Sequence, residues 1–127
     1  MTDDNYSEIA VENAVWNYEA MMERMLQDPS IAETIIRLFL EDVPVQLDNL
    51  NASIDQESLK QIRQYSHAIK GSALNLGGET MYAVAESIEE QALKGNVKKI
   101  ISLNPLLVEQ FKKLEKLLVN HLEKIEK

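Results

Sequence analysis

Cysteine is absent from this 127-residue chain. That excludes disulfides, thiolate metal sites and thiol catalysis, and it fits a reducing compartment. Only four glycines and three prolines are present, and aromatic residues make up 6%. An all-β fold needs many turns, so this is poor material for strands and good material for a few long helices. No apolar run approaches the roughly 20 residues of a membrane span. The polar, acidic stretch from Met1 to Asn5 is wrong for a secretory signal. A soluble, cytoplasmic protein is the expectation.

Basic residues are also scarce. Thirteen Lys and Arg against 21 Asp and Glu leave a net charge of −8. An acidic surface repels phosphate backbones, which argues against nucleic acid as a partner. The imbalance is uneven: from Lys94 onward eight Lys face four Glu, a net of +4, so residues 1–93 carry −12. The basic tail reads as the solvated face of a terminal helix.

What is there is a normal 45% share of hydrophobic residues, enough for one core in one domain over residues 1–127. Residues 1–8 are polar and expected to fray. A first short helix is predicted over Glu12 to Leu26, with Val15, Tyr18, Met22 and Met25 at helical spacing. Met21, Met22 and Met25 read as gap-filling core. Asp28-Pro29 is a cap followed by a residue pre-set for a first turn. The helix it opens carries Ile31, Ile35, Leu38, Phe39, Val43, Leu47 and Leu50, and Pro44 should kink rather than stop it. A turn is expected at Asn51 to Ser53, with Asp55 as the cap of a third helix.

That third helix has the most regular pattern: Leu59, Ile62, Ser66, Ile69, Ala73 and Leu76 alternate at spacings of three and four. Gly77-Gly78 ends it. A fourth helix from about Glu79 to Lys94 places Met81, Ala85, Ile88 and Ala92 on one face and stops at Gly95. Asn104-Pro105 looks like a second cap-plus-proline start. The last helix then aligns Leu107, Phe111, Leu114, Leu118 and Ile125. Short connections favour antiparallel neighbours. The predicted fold is all-α: an antiparallel up-down four-helix bundle over about 28–125, with an additional short N-terminal helix. Trp16 is read as capping that bundle.

Two histidines are present. At about 100° per residue, the seam of the third helix centres near 30° from Ile69, and His67 falls roughly 130° away. A core histidine belongs on the seam, and this one does not. Lys60, Arg63, Lys70, Gly71 and Leu74 share its face. A neutral imidazole nitrogen is a competent nucleophile near neutral pH. Lys70 at i+3 could neutralise phosphoryl oxygens, and Gly71 at i+4 leaves room for such a group and its donor. A mid-helix glycine costs on the order of 1 kcal/mol relative to alanine, so its presence asks for a reason. Leu74 and Arg63 are candidate docking residues. His121 lies on or beside the apolar stripe of the last helix and reads as structural.

A di-iron site needs Glu-x-x-His pairs. Position 64, three before His67, is Gln and position 118, three before His121, is Leu. No metal site is expected. Neither a P-loop nor a kinase-type glycine loop is present, so ATP chemistry is not expected either.

The stretch from His67 to Gly77 resembles the signature of histidine-containing phosphotransfer (HPt) domains, H-x-[LI]-K-G-[ST]-[AS]-x-x-[LIV]-G, at every fixed position. Phe39 to Pro44 and Ser87-Ile88-Glu89 with Gly95 are similar to two flanking segments of that family. The resemblance spans roughly Asp28 to Leu122. It implies a phosphocarrier without autonomous kinase activity, exchanging a phosphoryl group between Nε2 of His67 and the aspartate of a response-regulator receiver domain. It assigns Lys70 and Gly71 to the phosphoryl environment. Glu89 falls where the family has an acceptor for Nδ1–H. His67 lies ten residues before Gly77 and Glu89 twelve after it, so an antiparallel hairpin brings them level. No cofactor is implied on this chain; Mg²⁺ is expected on the receiver. A hybrid sensor histidine kinase is a further implied partner, and a monomer is expected. The rival reading is a helical adaptor that binds a signalling partner without ever being phosphorylated.

Overall fold

The structure is a computed structural model and describes residues 14–126. The expected fraying of residues 1–8 and the start of the first helix at Glu12 lie outside them. The described residues form five helices: α1 Tyr18–Arg24, α2 Pro29–Asp55, α3 Leu59–Leu76, α4 Glu79–Lys94 and α5 Val97–Glu126. The last four make the bundle. α3 packs between α2 and α4, and α5 closes the bundle against α4 and α2.

Sequence periodicity explains the core. On α2 the buried line is Ala32, Ile36, Phe39, Val43, Leu47, Leu50 and Ile54. It faces Ile62, Ser66, Ile69, Ala73 and Leu76 on α3 and Met81, Ala85, Ile88 and Ala92 on α4. Ile100, Leu107, Phe111, Leu114, Leu118 and Leu122 complete it from α5. Phe39 and Phe111 meet across the centre with ring centroids 6.0 Å apart. Ser66 is fully buried within this seam, and its hydroxyl donates back to the Ile62 carbonyl at 2.7 Å, which leaves that hydroxyl paired.

Several sequence expectations are corrected. The first helix is not continuous. Residues 14–15 are helical, Trp16 and Asn17 are not, and α1 starts at Tyr18. Asn17 is the reason: its amide donates to the Gly77 carbonyl at 2.8 Å, while its side chain accepts from the Ala20 amide and caps α1. Asn51 to Ser53 is helix rather than turn, because Leu50 and Ile54 continue the buried line of α2 through Asp55. The turn falls at 56–58, and Ser58, not Asp55, is the N-cap of α3. Asn104-Pro105 does not start a helix. α5 begins at Val97, where the Asn96 side chain accepts from the Lys99 amide, and runs through Pro105. α2 runs through Pro44 without stopping there, as expected. Ile31, Leu38 and Ile125 are exposed rather than core; Ala32, Ile36 and Leu122 hold the buried positions instead.

Trp16 packs on the end of the bundle. Its ring meets Tyr18 edge-on at 5.6 Å and His121 edge-on at 5.3 Å, and Tyr18 and His121 lie 5.4 Å apart.

Candidate functional site

The exposed face of α3 is set by the same periodicity that builds its seam. Ile62, Ser66, Ile69 and Ala73 face inward, so His67 must face out, and its side chain is 69% exposed. α4 runs back beside α3 after the Gly77-Gly78 turn. Gly77 takes φ +80°, and the Gly78 amide donates to the Ala73 carbonyl, so the chain reverses within two residues. This brings the third turn of α4 level with His67. Glu89 Oε2 lies 2.7 Å from His67 Nδ1. The other carboxylate oxygen, Oε1, accepts from Lys70 Nζ at 2.6 Å.

One carboxylate thus holds both an imidazole and an ammonium, and its own side chain is only 15% exposed. Burial pushes the Glu89 carboxyl up, but the hydrogen bonds from Lys70 and His67 outweigh it and hold the group below the ordinary carboxylate range. Lys70 is pushed above the ordinary lysine value by its bond to Glu89, against the opposing effect of burial. A carboxylate at Nδ1 selects the tautomer with the proton there and leaves Nε2 with its lone pair free. Among the described residues no hydrogen-bond partner meets Nε2.

Sequence reasoning assigned Lys70 to phosphoryl oxygens and missed its bond to Glu89. The signal was present, since Lys70 sits one turn beyond His67 and the hairpin that levels Glu89 with one brings it near the other. A Cβ built at Gly71 would meet nothing within 4 Å. Among the described residues the glycine therefore answers to no contact, and it is exposed one turn beyond His67. Leu74 is 42% exposed. It lines a groove of about 230 Å³ with Ala20 and Arg24 of α1 and Tyr82 of α4, three residues that the sequence alone did not bring to the site. Arg63 is exposed one turn before His67. The second histidine takes no part. His121 is half-buried at the end of the bundle against Trp16 and Tyr18. Among the described residues no group of three or more His, Asp or Glu side chains could hold a metal ion. No helix among them is long and apolar enough to cross a membrane.

Comparison with known proteins identifies the family and the fold. The family model for the Hpt domain matches residues 34–125. No curated protein sequence matches. Among solved structures, histidine-containing phosphotransfer protein B from Pseudomonas aeruginosa PAO1 superposes with a TM-score of 0.81 at 16% identity, over 86% of this chain and 95% of that one. The HPT domain of a sensor hybrid histidine kinase from Shewanella superposes with a TM-score of 0.78 at 14% identity, over 87% and 96% of the two chains. At such identities the likeness is one of fold.

Proposed function

The chain belongs to the Hpt domain family, the histidine phosphotransfer modules of phosphorelays, and from that premise we propose that His67 is the residue on which it carries its phosphoryl group. The carrying observation is the exposed ring with Nδ1 held at 2.7 Å by Glu89. The module is a phosphocarrier rather than a catalyst.

The step is dictated by the tautomer. The Nε2 lone pair attacks phosphorus of an aspartyl phosphate in line, the N–P bond forms, and the P–O bond to the aspartate breaks with the electron pair leaving on its carboxylate. No proton needs to move, because Nε2 carries none. The phosphorylated ring keeps its Nδ1–H and becomes cationic, and the Glu89 carboxylate stabilises it. Transfer of this kind depends on positioning and charge neutralisation more than on covalent machinery. Lys70 is the nearest cation, and swinging its ammonium from Glu89 to a phosphoryl oxygen needs only side-chain rotation. Gly71 keeps the approach to Nε2 open. The groove beside Leu74 offers apolar contact to the docking partner.

In this reading the partner is a receiver domain, alone or within a hybrid sensor kinase. It supplies the aspartyl phosphate and the Mg²⁺, and this chain neither binds nor hydrolyses ATP. The test is incubation with a receiver phosphorylated on aspartate in the presence of Mg²⁺. The chain should take up label that is acid-labile and base-stable, as a phosphoramidate is. His67→Gln should take up none, and Lys70→Ala should be loaded at least about tenfold more slowly. Equal uptake by His67→Gln would refute the assignment.

A further inference from the structure

Residues 1–93 contain seventeen acidic side chains and only five basic ones, Arg24, Arg37, Lys60, Arg63 and Lys70. Three of the five lie within eleven residues on the His67 face of α3. Arg37 is engaged by Glu33 and Glu126, and Lys70 by Glu89. Among the described residues neither Lys60 nor Arg63 has a carboxylate within ion-pairing distance. They rim a notch of about 340 Å³ between the start of α3 and the end of α4, floored by Leu59 and Ala92 and walled by Leu93. Leu93 is 64% exposed, an uncovered leucine beside two uncompensated cations.

The placement relative to His67 matters. Lys60 precedes it by seven residues and Leu74 comes seven after it, so the nucleophile lies midway between this notch and the groove at Leu74. Each depression joins an exposed leucine to a guanidinium, Leu74 with Arg24 and Leu93 with Arg63. A partner centred on His67 and about 20 Å wide reaches both, since seven helical residues span about 10.5 Å.

Charge identifies what fits. A protein that holds an aspartyl phosphate with Mg²⁺ binds the ion through one or two carboxylates besides the phosphate and water, so its site carries an acidic rim. Such an acidic rim is repelled by most of a domain whose first 93 residues carry −12. It is attracted where free cations stand on the face of α3.

We propose that the Lys60–Arg63–Leu93 notch is a second docking point for the receiver domain, taking an acidic segment with an apolar side chain at its centre. Lys60 and Arg63 orient the approach, and Leu93 anchors the complex once formed. This inference rests on the carrier reading of His67, and the experiment separates the two.

The probe is a panel of purified receiver domains, each phosphorylated with acetyl phosphate and Mg²⁺, from which the receiver that loads the wild-type chain fastest is used. Transfer rates are measured across a salt series for wild type, Arg63→Glu, Leu93→Asp and Lys116→Glu. Circular dichroism checks that each variant is folded. Lys116→Glu is the control, because it makes the same change in net charge on the outer face of α5. Arg63→Glu should slow loading by about tenfold or more at low salt and flatten its salt dependence. Leu93→Asp should slow it by about tenfold at every salt concentration, because the lost apolar contact is not screened, and should flatten the salt slope only in part through the carboxylate it sets beside Arg63. Lys116→Glu should stay within about twofold of wild type. If Arg63→Glu behaves like Lys116→Glu, or Leu93→Asp loads at the wild-type rate, the notch is not a docking point although His67 remains the carrier. If no receiver labels the wild-type chain, both readings fall together.

Discussion

Glu89 joins the imidazole of His67 to the ammonium of Lys70, and the protonation of this one carboxyl governs the whole face. Its folded-state pKa is below the ordinary carboxylate value. A group that binds its proton less tightly when folded contributes stability above its unfolded pKa and loses it as pH falls through the lowered folded value. The stability difference between wild type and Glu89→Gln, measured by urea unfolding, should therefore hold steady above about pH 5 and narrow from there to about pH 3. A difference that stays constant over that range would show that the carboxylate is not coupled to folding. Glu89→Ala should also release the ring: ¹⁵N spectra of His67 should change from the Nδ1–H tautomer toward a mixture. Much of this site was legible beforehand. Wheel angles placed His67 off the seam, and counting across the glycine turn levelled it with Glu89. The groove partners Arg24 and Tyr82 were not legible, since they come from helices whose packing against α3 depends on tertiary contacts that no local spacing encodes. Leu93 was hidden for a similar reason, as one leucine on the polar side of a helix is ordinary.

At the scale of elements, α3 and α4 end at glycine, whereas α1 and α2 end without one, as Leu26, Gln27 and Glu57 take positive φ themselves. α2 and α5 run on through the polar stretch at 51–53 and the Asn104-Pro105 pair, where local sequence suggested a turn and a fresh start. Gly77 and Gly95 both close helices in the left-handed region, where a residue without a Cβ has a clear advantage. Pro44 and Pro105 sit inside long helices because the apolar lines on either side stay in phase: Val43 with Leu47, and Ile100 with Leu107. Burial of those residues outweighs one missing amide each, whereas the Asn104-Pro105 pair reads locally as a start. The two glycines also separate conformational cost from contact cost. A Cβ at Gly95 would come no closer than 3.9 Å to Leu59, but one at Gly77 would lie 2.3 Å from the backbone oxygen of Asn17. Gly95→Ala should cost about 1 kcal/mol, the left-handed penalty alone. Gly77→Ala should cost about 3 kcal/mol or more, because it must also expel the Asn17 segment that clamps α1 to the α3–α4 turn. Chemical denaturation of the pair checks this, and equal losses would mean that the clamp contributes nothing.

Over the whole molecule, that clamp fastens the N-terminal segment to the α3–α4 turn and the ring cluster of Trp16, Tyr18 and His121 fastens it to the far end of α5, closing a bundle whose four long helices were predictable from periodicity. The fastening has a proton dependence. Burial lowers the pKa of His121, nearby Lys124 lowers it further, and Glu33 opposes both without reversing the result. The unfolded chain therefore binds this proton more tightly than the folded one. The stability gained by keeping the ring neutral is full above the ordinary histidine value and is lost as pH falls through the lowered folded value. Trp16 is the only tryptophan in the chain and touches that ring edge-on, so its emission reports the contact without interference. Unfolding followed by Trp16 fluorescence should show wild-type stability falling from about pH 7 to about pH 5. His121→Gln should show a flatter profile over the same interval. Parallel profiles for the two proteins would mean that the titration of His121 is not linked to the fastening of the N-terminal segment.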